Sequence, residues 1–232
     1  MGHKLSVVIP VYNEIETLEE ILRQVKAVDV GMEKEIVLVD DYSTDGTREL
    51  LKKIEQSGDA SIRVFYHEFN RGKGAALRTG FQHVTGDITI IQDADLEYDP
   101  QDYPKLIQPI LDGEVDAVYG SRFSEGKQKA LFLSYTANKS LTFLSNLFTR
   151  LNLTDMETCY KVIKTSILRD IPLKCDRFGF EPEITAKLAR RRCRVREIPI
   201  AYRGRDYAAG KKVGWKDGVA ALFHIIRFRF RD

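Results

Sequence analysis

Four short apolar runs punctuate the first half of the chain: Leu5-Ser6-Val7-Val8-Ile9, Glu35-Ile36-Val37-Leu38-Val39, Ile62-Arg63-Val64-Phe65-Tyr66 and Ile88-Thr89-Ile90-Ile91. They are rich in β-branched residues and too short for buried helices, so each predicts a strand. Between them the apolar period changes to that of a helix. Ile15, Leu18, Ile21, Leu22 and Val25 form one stripe, with Asn13 and Glu16 spaced as N-cap and capping-box partner, and residues 47–54 and 74–84 carry similar patterns. Such alternation predicts an α/β fold with a mainly parallel sheet flanked by helices, in which ligands bind beyond the carboxyl ends of the strands. After Arg122 the alternation loosens into a long helical stretch, 130–151, and a mixed region containing the strand-like 195–202. No repeat or low-complexity linker interrupts the chain, so the expectation is one domain over residues 1–232, with its first half ending at residue 123 and its second at 124–232.

Composition narrows the class. A hydrophobic fraction of 43% in 232 residues can fill a large core. No apolar run approaches the roughly 20 residues of a membrane span, and Met1-Gly2-His3-Lys4 leads into a strand rather than a signal core, so a cytoplasmic protein is expected. The cysteines Cys159, Cys175 and Cys193 fit neither a disulfide framework nor paired zinc knuckles, and His3, His67, His83 and His224 lack ligand spacing. The net charge of +2 hides an asymmetry: residues 187–232 carry 14 Lys/Arg against 4 Asp/Glu, the remainder 22 against 30. The basic C-terminal part suits phosphates or an anionic membrane surface, with nucleic acid a remoter partner.

The strand ends carry the candidate chemistry. In order they are Pro10-Val11-Tyr12-Asn13-Glu14, Asp40-Asp41-Tyr42-Ser43-Thr44-Asp45-Gly46, Asn70-Arg71-Gly72-Lys73-Gly74 and Asp93-Ala94-Asp95. Carboxylates at i and i+2 can aim oxygens at one hard cation while substrate phosphates fill its other positions. An EF-hand is excluded, because Tyr98 stands where glycine is required and Pro104 where a bidentate glutamate is required. Alone, Asp93-Ala94-Asp95 reads as a turn; the other strand ends reverse that. The turn at 70–74 is glycine-rich and doubly basic before a helix, a place for an anion, yet it is no P-loop because Gly74 follows Gly72-Lys73. Asp45, Glu97 and Asp99 read as turn and helix-start residues.

These motifs, in this order and spacing, resemble the family-two glycosyltransferases of GT-A fold, and most closely the branch of dolichyl-phosphate mannose synthases and polyprenyl-phosphate glycosyltransferases. The resemblance is specific over residues 5–123 and looser beyond. It implies an inverting, metal-dependent transfer of a hexose, mannose or glucose, from GDP-mannose or UDP-glucose to dolichyl or polyprenyl phosphate. Pro10, Tyr12, Glu14, Asp41 and Lys73 would bind the donor, Asp93 would meet the diphosphate, and Asp93 with Asp95 would hold Mg2+ or Mn2+.

In the second half, Gly120-Ser121-Arg122-Phe123 resembles the segment where lipid-phosphate enzymes of the family place an acceptor-binding arginine, which marks Arg122. Asp155 matches an acidic position near the reaction centre, orienting groups for a phosphate acceptor or acting as base for a hydroxyl. Glu181 and Glu183 are further candidates. Arg205 and Lys212, in the basic loop 203–212, resemble the residues that close over the donor diphosphate, although no serine precedes Lys212. Aromatic and basic residues interleave along 222–231, which predicts peripheral contact at the cytoplasmic membrane face. Transfer to a sugar or protein hydroxyl is the alternative activity, and a non-catalytic nucleotide-sugar-binding protein the remoter one. A nucleotidylyltransferase lacks support, since Pro10-Val11-Tyr12 replaces the glycine-rich N-terminal loop such enzymes need.

Overall fold

The computed structural model describes residues 2–123, 132–177, 179–204 and 215–230. Its first half alternates as the apolar pattern predicts: β1 (Lys4–Val11), α1 (Leu18–Ala27), β2 (Glu33–Asp40), α2 (Thr47–Gln56), β3 (Ile62–Tyr66), α3 (Lys73–His83) and β4 (Ile88–Ile91). These strands are parallel, in the order β3-β2-β1-β4. Helices cover both faces of such a sheet, which is why the strands read as continuous apolar runs rather than alternating ones. The register pairs Val11 with Asp40 and Val8 with Ile91, so the chain leaves β1, β2 and β4 along one edge.

Helix α1 starts later than its sequence signal. Asn13 adopts a positive φ of 52°, and its side-chain carbonyl accepts from Thr44 N at 2.8 Å rather than capping the helix. The predicted capping box gives way to a bond between two strand-end loops.

The second half adds α4 (Tyr103–Leu111), β5 (Ala117–Ser121), α5 (Phe132–Thr149), β6 (Lys161–Lys164), α6 (Thr165–Arg169), α7 (Phe180–Arg190), β7 (Val195–Pro199) and α8 (Trp215–Phe230). Strand β6 enters between β4 and β5, antiparallel to both, and completes a seven-stranded sheet, β3-β2-β1-β4-β6-β5-β7, that is otherwise parallel. This insertion carries the segment before β6 to the edge where β4 ends. One apolar core runs through both halves, from Val8 and Leu38 to Val118, Met156 and Ile184. Helix α8 turns Ala221, Ile225 and Phe228 inward, while Leu222, Phe223 and Ile226 stay exposed.

Candidate active site

Loops after β1 and β2 are tied to each other by their own polar side chains. Asn13 N donates to Ser43 Oγ, Glu14 N to Thr47 Oγ1 and Ile15 N to Asp45 Oδ2. Asp45 also accepts from Thr47, which bears out its structural reading. Pro10 and Glu14 are half-buried beside these loops, and Tyr12 and Tyr42 present exposed rings. The Thr17 hydroxyl bridges Glu14 Oε2 and the Ala94 carbonyl, fixing the β1 loop to the Asp93-Ala94-Asp95 turn.

The glycine-rich turn holds an anion from the protein itself. Asp41, buried, accepts from Arg71 N at 2.8 Å and Gly72 N at 2.7 Å, and meets His67 Nδ1 at 2.7 Å. Ala75 N, at the start of α3, donates to the Asp176 carbonyl. Gly72 and Gly74 permit this contact, since a Cβ at either would lie within 2.5 Å of a backbone oxygen of residues 175–176. The Asp41 carboxylate, expected at the donor, is thus held by the turn's own amides, and the anion place expected at this helix start is filled by protein.

Lys73 is left to point into the cleft. Its ammonium lies 2.8 Å from Asp93 Oδ1 and 3.3 Å from Glu181 Oε1. Burial disfavours that charge, but the two carboxylates outweigh it and hold the Lys73 pKa well above 10.5. Against the same burial, Lys73 keeps the Asp93 carboxyl below its ordinary range. Asp95 Oδ1 accepts from Glu97 N, and both aspartates remain partly accessible at the end of β4. Among the described residues no cluster of three His, Cys, Asp or Glu forms a protein-only metal cage. Two accessible carboxylates instead fit Mg2+ or Mn2+, hard ions that share their coordination with substrate phosphates.

Arg122, predicted for the acceptor, and Asp155 come together. The guanidinium grips the carboxylate with Nε at 2.6 Å and Nη2 at 2.8 Å, and Arg122 N adds a bond at 3.1 Å. The guanidinium carbon lies 5.3 Å from the centre of the Phe123 ring and 5.2 Å from that of Tyr202. Glu197 on β7 in turn accepts from Thr154 N and Asp155 N, fixing the loop that presents Asp155. Asp99 accepts from Gln101 N, as a helix-start residue does, while the Glu97 carboxylate accepts from Tyr202, beside Arg122.

Glu183 lies elsewhere in function. Fully buried, it accepts from Lys174 N and Cys175 N and pairs with Lys187, anchoring the segment that covers the glycine-rich turn. The structure places this residue in support of the site, because its carboxylate faces inward from the first turn of α7. Arg205 and Lys212 lie outside the described residues.

Three further groups join the cluster without having been singled out. Lys161, at the start of β6, is buried and donates to the carbonyls of Met156 and Thr158. The Cys159 thiol lies against Asp93. Burial, reinforced by the Glu181 charge, pushes the Glu157 carboxyl up to about 8. All belong to the segment 154–161 that also supplies Asp155; the available signal was the density of charge and sulfur just before a strand. The cysteines are free and Cys159 and Cys175 are buried, as packing residues should be.

Comparison with known proteins gives this site a context. The model of the family described as Glycosyl transferase family 2 matches residues 6–172. Undecaprenyl-phosphate 4-deoxy-4-formamido-L-arabinose transferases of Salmonella dublin and Salmonella gallinarum are 35% identical over 211 residues, covering 90% of this chain and 62% of theirs. The chain therefore spans 62% of the length of these curated relatives. Among solved structures, glucosyl-3-phosphoglycerate synthase from Mycobacterium tuberculosis in complex with Mn2+, UDP and phosphoglyceric acid shares the fold with a TM-score of 0.76 at 20% identity, covering 100% of this chain and 80% of that one. Its complex with Mg2+ and UDP gives a TM-score of 0.75 at 20% identity, over 100% and 81%.

Proposed function

The chain belongs to glycosyl transferase family 2, and from that premise we propose that it moves a hexose, mannose or glucose, from a GDP- or UDP-sugar to a polyprenyl or dolichyl phosphate with inversion. The observation that carries this reading is a pair of charged groups at the carboxyl-terminal edge of the sheet: Lys73 with Asp93 and Glu181, and Arg122 with Asp155. The first suits a diphosphate and its cation, the second an acceptor phosphate. The names of the Salmonella relatives, as undecaprenyl-phosphate sugar transferases, support the lipid acceptor.

In the reaction an acceptor phosphate oxygen attacks the anomeric carbon, and the bond from that carbon to the nucleoside diphosphate breaks. No proton has to leave the acceptor. Asp155 fits this: both its oxygens accept from Arg122, so it orients the guanidinium. Two of the five guanidinium N–H donors are used there, and the remainder can take phosphate oxygens. Tyr12, Pro10 and Glu14 line the nucleoside side. Asp93 and Asp95 would hold Mg2+ or Mn2+, which offsets charge on the departing diphosphate. Lys73 places a fixed positive charge at the same spot.

The acceptor sets the working surface. No helix of the described residues is long and apolar enough to cross a membrane; exposed Leu222, Phe223 and Ile226 on α8 would instead rest at the cytoplasmic membrane face. The test is transfer of radiolabel from GDP-mannose and UDP-glucose to polyprenyl phosphate, with and without Mn2+. Label in the lipid phase from one donor, abolished without the metal, is expected. Label that stays out of lipid with both donors overturns the acceptor assignment, and donor turnover by Asp95→Ala at the wild-type rate overturns the metal site.

A further inference from the structure

Glu181 Oε2 and Glu157 Oε1 are sealed from solvent and have no hydrogen-bond partner, and the Thr158 hydroxyl beside Glu157 is in the same state. Buried polar atoms almost always have a partner, so stranded carboxyl oxygens point to donors that arrive from outside the protein. Glu181 as a whole is only 4% exposed.

Position narrows what those donors are. Glu181 shares the Lys73 ammonium with Asp93, which puts its free oxygen beside the carboxylate assigned to the diphosphate and its cation. Glu157 lies in the chain between Asp155, which Arg122 grips, and Cys159, whose thiol lies against Asp93, with the carbonyls on either side of it held by Lys161. Its segment therefore joins that end to the acceptor arginine, and the charges of Glu181 and Arg122 both act on it. In a displacement at an anomeric carbon, the group between the leaving diphosphate and the attacking phosphate is the sugar ring. Its hydroxyls are neutral donors in several directions. A second cation is the competing occupant, but the Lys73 ammonium, 3.3 Å from Glu181 Oε1, already supplies positive charge here.

We propose that Glu157 and Glu181 bind the hydroxyl groups of the transferred sugar and so select which sugar is accepted. The proposal rests on the glycosyltransferase reading. A site built to receive hydroxyls rejects a sugar that lacks them, because its buried acceptors are then left unpaired. Glu157, protonated at neutral pH, can both donate to and accept from a hydroxyl.

The experiment is calorimetric titration of wild type, Glu157→Ala and Glu181→Gln, in Mn2+, with UDP and GDP and with UDP-glucose and GDP-mannose. Glu157→Ala is the decisive variant because the substitution removes both the donor and the acceptor of that side chain, while Lys73 keeps its ion pairs with Asp93 and Glu181. It should bind the bare diphosphate within about twofold of wild type and the corresponding nucleotide sugar at least about tenfold more weakly, the scale of one lost hydrogen bond. Equal losses for diphosphate and nucleotide sugar, or no loss for either, overturn the proposal while leaving the family reading intact. Wild type that binds none of the four ligands overturns the donor reading itself, and the sugar contacts with it. Glu181→Gln should add a loss toward the bare diphosphate through Lys73; a loss confined to that ligand removes Glu181 from the sugar site.

Discussion

Glu35 and Glu157 are both acidic side chains drawn into the protein, one in each half, and their surroundings differ. Glu35 accepts from Ser6 Oγ, Gly86 N and both the amide and hydroxyl of Thr85, and it faces Lys4 and Arg63. Burial would raise its pKa, but those hydrogen bonds hold it at about 2. Glu157 leaves an oxygen without a partner and its pKa is pushed up to about 8. In the first half even Asp40 Oδ2, which lacks a hydrogen bond, faces the Arg48 guanidinium at 3.4 Å, and the anion place at the glycine-rich turn is filled by Asp41. The second half keeps buried charge in reserve, an arrangement that costs stability and belongs at a ligand site.

Arg122→Ala tests that difference most severely. It strands the fully buried Asp155, which should cost about 3–5 kcal/mol of stability and abolish lipid transfer. Arg63→Ala in the first half should cost less, because Glu35 keeps Ser6, Thr85, Gly86 and Lys4. Urea unfolding of the two variants gives the ranking; equal losses would erase the distinction between the halves. Arg122→Lys keeps the charge but not the planar fork, and should recover stability more than transfer.

The two glutamates also predict opposite responses to pH. Glu35 has a depressed folded pKa, so its contribution is present above about 4.5 and is lost as pH falls toward about 2. Glu35→Gln should therefore be less stable than wild type by about 2–3 kcal/mol at pH 7, with the gap closing across that acid window. Glu157 has a raised folded pKa, so stability is greatest below about 4.5 and declines as pH rises through about 8. Glu157→Gln should gain on wild type over that interval, by about 1–2 kcal/mol once its coupling to Glu181 is discounted. Melting temperatures from pH 3 to pH 9 check both signs. A gap that moves in the same direction for both variants would show that the halves do not differ in this way.

How much of this was legible in the sequence follows from contiguity. Strands β1 to β4 and the motifs at their ends are unbroken stretches, so period and composition expose them. Asp45 and Asp99 were readable as turn residues because their partners lie two residues away or in an adjoining loop, whereas the Glu97 carboxylate meets Tyr202, over a hundred residues on. Asp41 was harder, since its partners come from the turn 71–72 about thirty residues on. Glu181 was readable as a candidate, but its neighbourhood with Glu157 was not. It exists because β6 slips antiparallel between β4 and β5, and β6 is a four-residue strand with lysine at each end and only two apolar residues between. Asn13 looked like a helix cap because its spacing to Glu16 is local, whereas its real partner is on another strand end.

The outer surface of the second half offers the mildest test. Phe223 is 60% exposed on α8, while Phe228, on the same helix, is fully buried against α7 and α5. On α5, Phe143 and Leu147 are likewise exposed. Apolar side chains facing out next to Arg227 suit an anionic lipid surface, where rings enter the headgroup layer and arginines meet phosphate. Phe223→Asp should change stability by less than about 1 kcal/mol, since the ring is largely exposed and gives up only its edge contact with His224. Its effect should appear only with membranes, as a several-fold loss of sedimentation with phosphatidylglycerol vesicles and a smaller change with phosphatidylcholine. Transfer to a short, water-soluble polyprenyl phosphate should remain at the wild-type level, because the substitution lies away from Arg122 and Lys73. If vesicle binding is unchanged, α8 is a packing helix whose exposed residues have no membrane role, and the acceptor must reach Arg122 by another face.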